Sequence, residues 1–355
     1  MSGGVDSSVA AALLRDAGHE ITGITLRLQA CDADSRDTSC CAGEGLARAR
    51  ETCRFLGIPH YELPCAAAFE REVLRPAWDE YARGRTPSPC LLCNERVKLG
   101  LLAARAREIG ATRIATGHYA RIEHDARGDP ILARGADRAK DQSYFLAGLD
   151  RAQLREIVFP LGSLTKEQVR ARAAAMGLSC ARARESQDAC FREDARPFAE
   201  VLRARFGAAA RPGAIVDDDG TVLGRHEGIH RFTIGQRRAL GVAAGDRRWV
   251  RAIDADTGTV FVTADERRLL SRALLVEGLH WREGTPPAGA RRCEVQVRSR
   301  HAAAACRVRS AGAAGARVDL DQPVRAATPG QAAVFYDGDA VLGQGWVETA
   351  EPWGA

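Results

Sequence analysis

The chain has 355 residues, 45% of them hydrophobic and 27% charged, with a formal net charge of +5. At about 150 residues per domain this length predicts two or three domains, and the composition excludes a disordered or fibrous chain. No apolar run approaches the roughly 18–20 residues that span a bilayer. No charged-then-apolar export signal precedes the first motif, so the chain reads as a cytoplasmic protein with no membrane partner. A modest positive charge allows a nucleic-acid partner without requiring one.

Residues 8–17 read as a helix closed by Gly18, residues 21–28 as a buried strand, 45–56 as a helix and 60–63 as a strand. Helices are expected over about 67–83 and 94–109, with a short strand at 113–116. Strands alternating with helices predict an α/β domain, a parallel sheet with helices on its faces. Thr165-Lys166-Glu167-Gln168 is a capping-box start for a helix ending near Gly177. After about Phe191 the texture changes. Residues 214–223 are two short apolar runs around Asp219-Gly220, and residues 249–262 repeat this around Thr257-Gly258. From about Leu274 onward the pattern alternates with period two, which predicts a small barrel or sandwich. The domains expected are residues 1–192, a β-rich central domain at 193–268, and a C-terminal β-barrel at 269–355.

The chain opens on Ser2-Gly3-Gly4-Val5-Asp6-Ser7-Ser8, running straight into a helix. Two glycines allow a tight turn with exposed N–H groups, and three hydroxyls and a helix N-terminus add donors. This suits an anion, most simply a phosphate. The Gly-Lys-Ser/Thr ending of a Walker A loop is missing. Of the 51 basic residues only Lys98, Lys140 and Lys166 are lysine. Codon bias accounts for much of that. A chain written almost wholly in arginine also keeps lysine where a compact ammonium is needed.

Eleven cysteines in a chain without an export signal favour metal or redox chemistry over a disulfide framework. Cys90 and Cys93 form a C-x-x-C read as a Pro-rich loop just before a helix, a position that lowers a thiol pKa. On its own it is equally a zinc half-site or a redox pair. Cys190 follows in a polar segment with Glu185 and Asp188. Cys31, Cys40 and Cys41 read as structural or loop thiols, and Cys53, Cys65, Cys180, Cys293 and Cys306 as packing residues.

Residues 2–8 resemble the PP-loop of the ATP pyrophosphatase superfamily. Six further segments narrow the resemblance: Thr86-Pro-Ser-Pro-Cys-Leu-Leu-Cys-Asn94, Thr116-Gly-His-Tyr-Ala-Arg121, Lys140-Asp-Gln-Ser-Tyr-Phe-Leu146, Glu185-Ser-Gln-Asp-Ala-Cys190, Phe232-Thr-Ile-Gly-Gln-Arg237 and Thr328-Pro-Gly-Gln-Ala-Ala-Val-Phe335. In that order they resemble the bacterial tRNA-specific 2-thiouridylases, over essentially the whole chain.

The resemblance implies an N-terminal domain of the adenine-nucleotide alpha-hydrolase type and an activity that adenylates a tRNA wobble uridine and replaces its C2 oxygen with sulfur. It assigns ATP to Ser2, Gly3, Gly4, Val5, Asp6, Ser7, Ser8, Leu26 and Gly117. Magnesium would bridge the phosphates, with Asp6 as an outer partner. Cys93 becomes the nucleophile and Cys190 the persulfide carrier. Ser88, Pro89 and Cys90 would frame the target base, and His118, Lys140, Asp141, Gln142, Arg298 and Gln331 would contact tRNA. A sulfur-donor protein is implied as a second partner, and the enzyme is expected to be a monomer.

Three departures from the family pattern follow. The family carries a hydrophobic strand before the PP-loop, whereas this chain begins at the loop. That reads as a misplaced start codon or a truncated chain, and loss of a mid-sheet strand would cost several kcal/mol of burial. Cys90 stands where relatives often carry aspartate, so Cys90, Cys93 and Cys190 could present three thiolates to a four-iron four-sulfur cluster. Finally, Ser299 stands where the family has a stacking tyrosine after the arginine.

Overall fold

Strands and helices alternate through the first half. In chain order come α1 (Val5–Asp16), β1 (Gly23–Arg27), α2 (Glu44–Leu56) and β2 (His60–Pro64). In this computed structural model residues 1–29, 44–182, 196–207, 211–242, 247–284, 289–312 and 315–354 are described. The helix expected over 67–83 resolves into α3 (Ala66–Phe69), a π-helical stretch Glu70–Leu74 and α4 (Arg75–Ala82). There follow α5 (Pro89–Leu92), a longer π-helical stretch Cys93–Leu101, and α6 (Leu102–Glu108). Next are β3 (Ile114–Ala115), β4 (Ala120–His124), β5 (Pro130–Arg134), α7 (Ser143–Leu146), α8 (Arg151–Glu156), β6 (Ile157–Val158), α9 (Lys166–Ala175) and α10 (Phe198–Phe206). Among the described residues no helix is long and apolar enough to cross a membrane.

Packing divides the chain into two units. The first comprises Met1–Val73, Cys90–Ala195 and Asp339–Val341; the second comprises Leu74–Pro89, Arg196–Gly338 and Leu342–Ala355. In the first, β1 pairs in parallel with β2, placing Leu26 opposite Leu63, and β3 pairs in parallel with β6. Val5, Val9 and Ala12 lie on one face of α1, the helical spacing of an amphipathic stripe. They pack against Val169 and Ala173 of α9, with Leu161 and Cys180 in the same core. Burying each valine or leucine of this core contributes roughly 1.5–3 kcal/mol. The capping box at the start of α9 is present: the Gln168 N–H donates to Thr165 Oγ1 at 3.2 Å, and the Thr165 N–H donates to Gln168 Oε1 at 2.9 Å.

Two sequence expectations need correction. Cys90 and Cys93 are not in a loop before a helix, because the helix begins at Pro89, five residues earlier than expected. Proline fits the first helical turn, where its missing N–H has no partner to lose. The hairpin β4–β5, with Arg121 opposite Ala133, was not expected at all. Its partner comes from far along the chain: Ala340 pairs with Ala133, and Asp339 binds Arg121 and Arg138.

The second unit is mostly β. A four-stranded sheet has the order β8 (Val222–His226), β7 (Gly213–Val216), β10 (Thr259–Thr263), β9 (Trp249–Asp254). Both expected hairpin turns form. In the first, Asp217 Oδ1 accepts from the N–H groups of Asp219 and Thr221, and Gly220 takes φ +83°. The remaining strands are β11 (Leu270–Trp281), β12 (Arg291–Gln296), β13 (Ala304–Ser310), β14 (Ala316–Arg325), β15 (Ala332–Asp337) and β16 (Ala340–Pro352). They run in the order β11-β14-β13-β12-β15-β16, and β16 returns to β11. This closed barrel has no free edge. Its interior is filled by alternating residues including Leu274, Val295, Val308, Val318, Phe335 and Leu342.

Candidate functional site

The opening loop of the first unit is built by close approach of main chains. Gly3 has φ +74°, and a Cβ there would lie 2.0 Å from the Gly45 carbonyl oxygen of α2. Gly4 is the N-cap of α1 and receives no side-chain cap. Ser7 and Ser8 hydroxyls both donate to the Gly4 carbonyl, at 3.1 and 3.0 Å, and the Ser2 N–H donates to Ser7 Oγ at 3.2 Å. The first-turn N–H groups of a helix have no intrahelical partner and carry positive potential. A tight glycine loop with two ordered serines over that terminus fits a phosphate chain. Leu26, half-buried on β1, belongs to the same unit.

Gly117 comes to the same place. A Cβ on it would sit 2.7 Å from the Asp6 carbonyl carbon and 2.8 Å from the Ser7 nitrogen. Only glycine lets the loop after β3 lie this close to the start of α1. Two segments that look unrelated in sequence are thus joined. Asp6 is the hinge of the contact: its Oδ1 accepts the Tyr119 hydroxyl at 2.7 Å, and Lys166 Nζ donates to both carboxylate oxygens at 2.7 and 2.8 Å. The sequence marks Lys166 as a rare lysine within a capping-box segment and gives Tyr119 no role, and it does not link either to Asp6, because Lys166 stands 160 residues from Asp6 in the chain. A carboxylate that already carries an ammonium and a phenol suits shaping of the loop better than direct metal coordination.

His118 sits edge-on to Phe159 and its Nδ1 lies 2.7 Å from Thr116 Oγ1. Burial, aided by the nearby Lys98 charge, lowers its pKa from 6.5 to about 3. The ring is therefore neutral at physiological pH and can offer a hydrogen bond or a face, not a charge. Gln142 braces this loop: its Oε1 accepts from the Tyr119 N–H at 3.0 Å, and its own N–H donates to the Tyr119 carbonyl at 2.9 Å. Asp141 is committed to the fold, accepting from the Gly135 N–H, the Ser143 N–H and hydroxyl, and Arg134. Lys140 is half-buried in the adjoining turn.

Cys90 lies half-exposed in α5, and Cys93 is buried one turn later, where the helix widens into its π-helical stretch. Such widened turns recur at functional sites. Gln153 Nε2 donates to the Glu95 carbonyl in this stretch at 3.2 Å. Asn94, the residue after Cys93, donates to the Phe145 carbonyl at 3.0 Å, while its buried Oδ1 has no partner among the described residues. Cys190, like Cys31, Cys40 and Cys41, lies outside the described residues. Among the described residues no group of three His, Cys, Asp or Glu side chains could hold a metal ion.

In the second unit, Gln331 Nε2 donates to the carbonyls of Thr86 and Pro87 at 3.0 and 2.9 Å, and the Ala332 N–H donates to Ser88 Oγ at 3.4 Å. Arg298 binds Thr328 Oγ1 and the Ile234 carbonyl at 2.5 and 3.0 Å. Ser88 and Gln331 are thereby brought together across the chain, with Pro89 next to them in sequence. Arg298 instead fixes the turn that carries Gln331.

Three family models match the chain: a "tRNA methyl transferase HUP domain" over residues 1–194, a "tRNA methyl transferase PRC-barrel domain" over 200–264, and an "Aminomethyltransferase beta-barrel domain" over 271–347. The chain is 44% identical over 352 residues to the tRNA-specific 2-thiouridylase MnmA of Chloroflexus aggregans, covering 99% of this chain and 98% of that protein. The chain belongs to the tRNA-specific 2-thiouridylase family. Relatives bearing that name in Geobacter metallireducens and Rhodospirillum centenum are 43% and 44% identical, over 99% of this chain in each case and 96% and 91% of theirs. The thiouridylase family thus accounts for both units, the nucleotide-type domain and the two β-rich regions.

Proposed function

We propose that the chain is an ATP-dependent tRNA uridine 2-thiolase. One observation carries this reading furthest. Gly117 packs against the Asp6–Ser7 backbone, so the glycine-serine loop, the α1 N-terminus and the histidine loop form one surface. The full-length relatives named for this activity support it independently.

ATP is a substrate. The backbone donors of residues 3–8 would hold its phosphates, Leu26 and Gly117 would bound the nucleotide, and magnesium would screen the phosphate charge. The C2 oxygen of uridine is a poor leaving group. Its attack on the α-phosphorus expels pyrophosphate and leaves the oxygen adenylated. A persulfide on Cys190 then adds through its outer sulfur at C2 and displaces AMP. Cys93 attacks the inner sulfur, leaving the thiocarbonyl on the base and a Cys93–Cys190 disulfide that an external thiol reduces. The base must be unstacked to reach these groups. Ser88, Pro89 and Cys90 would border it. Gln142 acts by bracing the His118 loop, Asp141 by fixing the turn after β5, and Arg298 and Gln331 by holding the segment at residues 86–88. Lys140 and His118 would meet the RNA itself. The domain division at 192 and 268, a sulfur-donor protein as partner, and a monomeric cytoplasmic state belong to the same reading.

A second chemistry rests on Cys90 and Cys93 lying one helical turn apart. With Cys190 they number the three thiolates of an open four-iron four-sulfur cluster, whose bound sulfide would replace the persulfide.

The test is thiolation of a wobble-uridine tRNA transcript with ATP and either a persulfide donor or, for the cluster chemistry, sulfide, read by mass spectrometry of the digested RNA. Product that requires ATP and yields pyrophosphate is expected, and none at all overturns the function. Cys190→Ala should give no 2-thiouridine while still consuming ATP on tRNA; normal product would remove Cys190 from the mechanism. Full activity in an iron chelator would exclude the cluster.

A further inference from the structure

Neither of the two cysteines that face each other in the barrel takes part in that chemistry. Cys293 on β12 lies directly opposite Cys306 on β13 in an antiparallel pair, and their sulfurs are 3.6 Å apart. We propose that Cys293 and Cys306 form a dithiol that a hydroperoxide closes to a disulfide.

The backbone already has the required geometry. A disulfide needs Cα atoms about 4.4–6.8 Å apart. Directly opposed residues of an antiparallel pair sit about 4.5–5.5 Å apart. Closure therefore takes only side-chain rotation that shortens the sulfur separation, with the strand register unchanged. Access is one-sided: Cys293 is half-exposed, whereas Cys306 is 1% exposed within the barrel core beside Val308 and Leu320. Cys293 is thus the sulfur a small oxidant meets, and Cys306 the one that resolves the product. The charges follow the same order. The hydrogen bond with Cys306, helped by the Arg291 guanidinium, holds the Cys293 thiol below its ordinary range against partial burial and the opposing charges of Asp337 and Glu294. The same hydrogen bond, with burial and the nearby Asp321 and Glu294, pushes Cys306 up.

In the first step the Cys293 thiolate attacks one peroxide oxygen. The O–O bond breaks, Cys293 becomes a sulfenic acid, and the other oxygen leaves as hydroxide and takes up a proton. In the second, Cys306 sulfur attacks Cys293 sulfur, the S–O bond breaks, and the departing hydroxide takes the Cys306 proton. Two thiols lose two electrons in total, and hydrogen peroxide ends as two waters. The bridge would enclose the β12–β13 hairpin, which carries Arg298 and its contacts to Thr328 and Ile234.

The experiment treats the full-length protein with hydrogen peroxide, blocks remaining thiols with iodoacetamide and maps the digest by mass spectrometry. A peptide pair joined through Cys293 and Cys306, lighter by two hydrogens and released by dithiothreitol, is expected. It should form about tenfold or more faster in the folded chain than in urea, because the strands hold the thiols together. Cys306→Ser should stop at a Cys293 sulfenic acid that dimedone traps, and Cys293→Ser should leave Cys306 reduced. The proposal is overturned if Cys293 and Cys306 both remain alkylated while other cysteines have been oxidised. It is equally overturned if the bridge forms as fast in urea as in buffer.

Discussion

At the start of α1 the decisive contacts are between main chains. Gly3 lies against Gly45, and Gly117 against Asp6 and Ser7, with no side chain between them. At the turn before β15 the reverse holds. Gln331 reaches out to the carbonyls of Thr86 and Pro87, and Arg298 reaches to Thr328 and Ile234. The first region tolerates no added atoms, because nothing there can move aside. The second loses hydrogen bonds one at a time. The proposed phosphate grip by N–H groups needs the first construction, whereas the proposed RNA-facing surface needs only a braced loop.

The sharpest way to break this comparison is Gly117→Val. Its side chain must displace the α1 N-terminus, and a shift of about 1 Å costs on the order of 100-fold in rate. Pyrophosphate release should fall by that much while the barrel is unaffected. Gln331→Ala should do less. It removes two hydrogen bonds worth about 1 kcal/mol each, so tRNA binding weakens by up to roughly 30-fold with ATP affinity unchanged, as filter binding and nucleotide titration would read. A fall in pyrophosphate release equal to that of Gly117→Val would erase the distinction. Lys140→Ala should weaken tRNA binding a few-fold and reduce the log–log salt slope by about one, the signature of one phosphate contact. An unchanged slope returns Lys140 to the fold.

A last test concerns His118. Its pKa is about 3 in the folded protein and 6.5 in the unfolded chain. Below about 6.5 the unfolded state takes up a proton that the folded state refuses, so stability falls as pH drops from 6.5 toward 3. Above 6.5 the contribution is fully present. His118→Asn should flatten the decline of melting temperature across that window, and parallel curves for the two proteins would contradict the neutral, desolvated ring.

Local chemistry made much of this legible in the sequence. The Asp219-Gly220 and Thr257-Gly258 turns, the capping box at Thr165 and the alternation after Leu274 are each decided by residues within a few positions of one another. The helix start at Pro89 was missed because proline serves a first helical turn as readily as a loop. The β4–β5 hairpin was missed because its partner, Ala340, arrives from the far end of the chain. The candidate site divides the same way. Glycines and serines announced the loop, but the Lys166–Asp6 pair joins residues no local pattern links. Asp141, expected to contact tRNA, also anchors the fold through Gly135, Ser143 and Arg134, partners that the sequence did not announce.

The widened helix from Cys93 to Leu101 sets an angular offset between the thiols and the segment that anchors them. Each residue of an α-helix turns the chain by about 100°, and a π-helical turn accommodates an extra residue without breaking the rod. Forcing the stretch into ordinary α-helical hydrogen bonding with no residue removed would keep α6 in place and swing Cys90 and Cys93 by about a quarter-turn around the helix axis. Such a protein should fold, bind ATP and release pyrophosphate, yet present Cys90 and Cys93 on a different face, which under the proposed mechanism stops thiolation. The bulge thus works as a phase setting: it stores, in hydrogen-bond register alone, the direction in which the cysteines point.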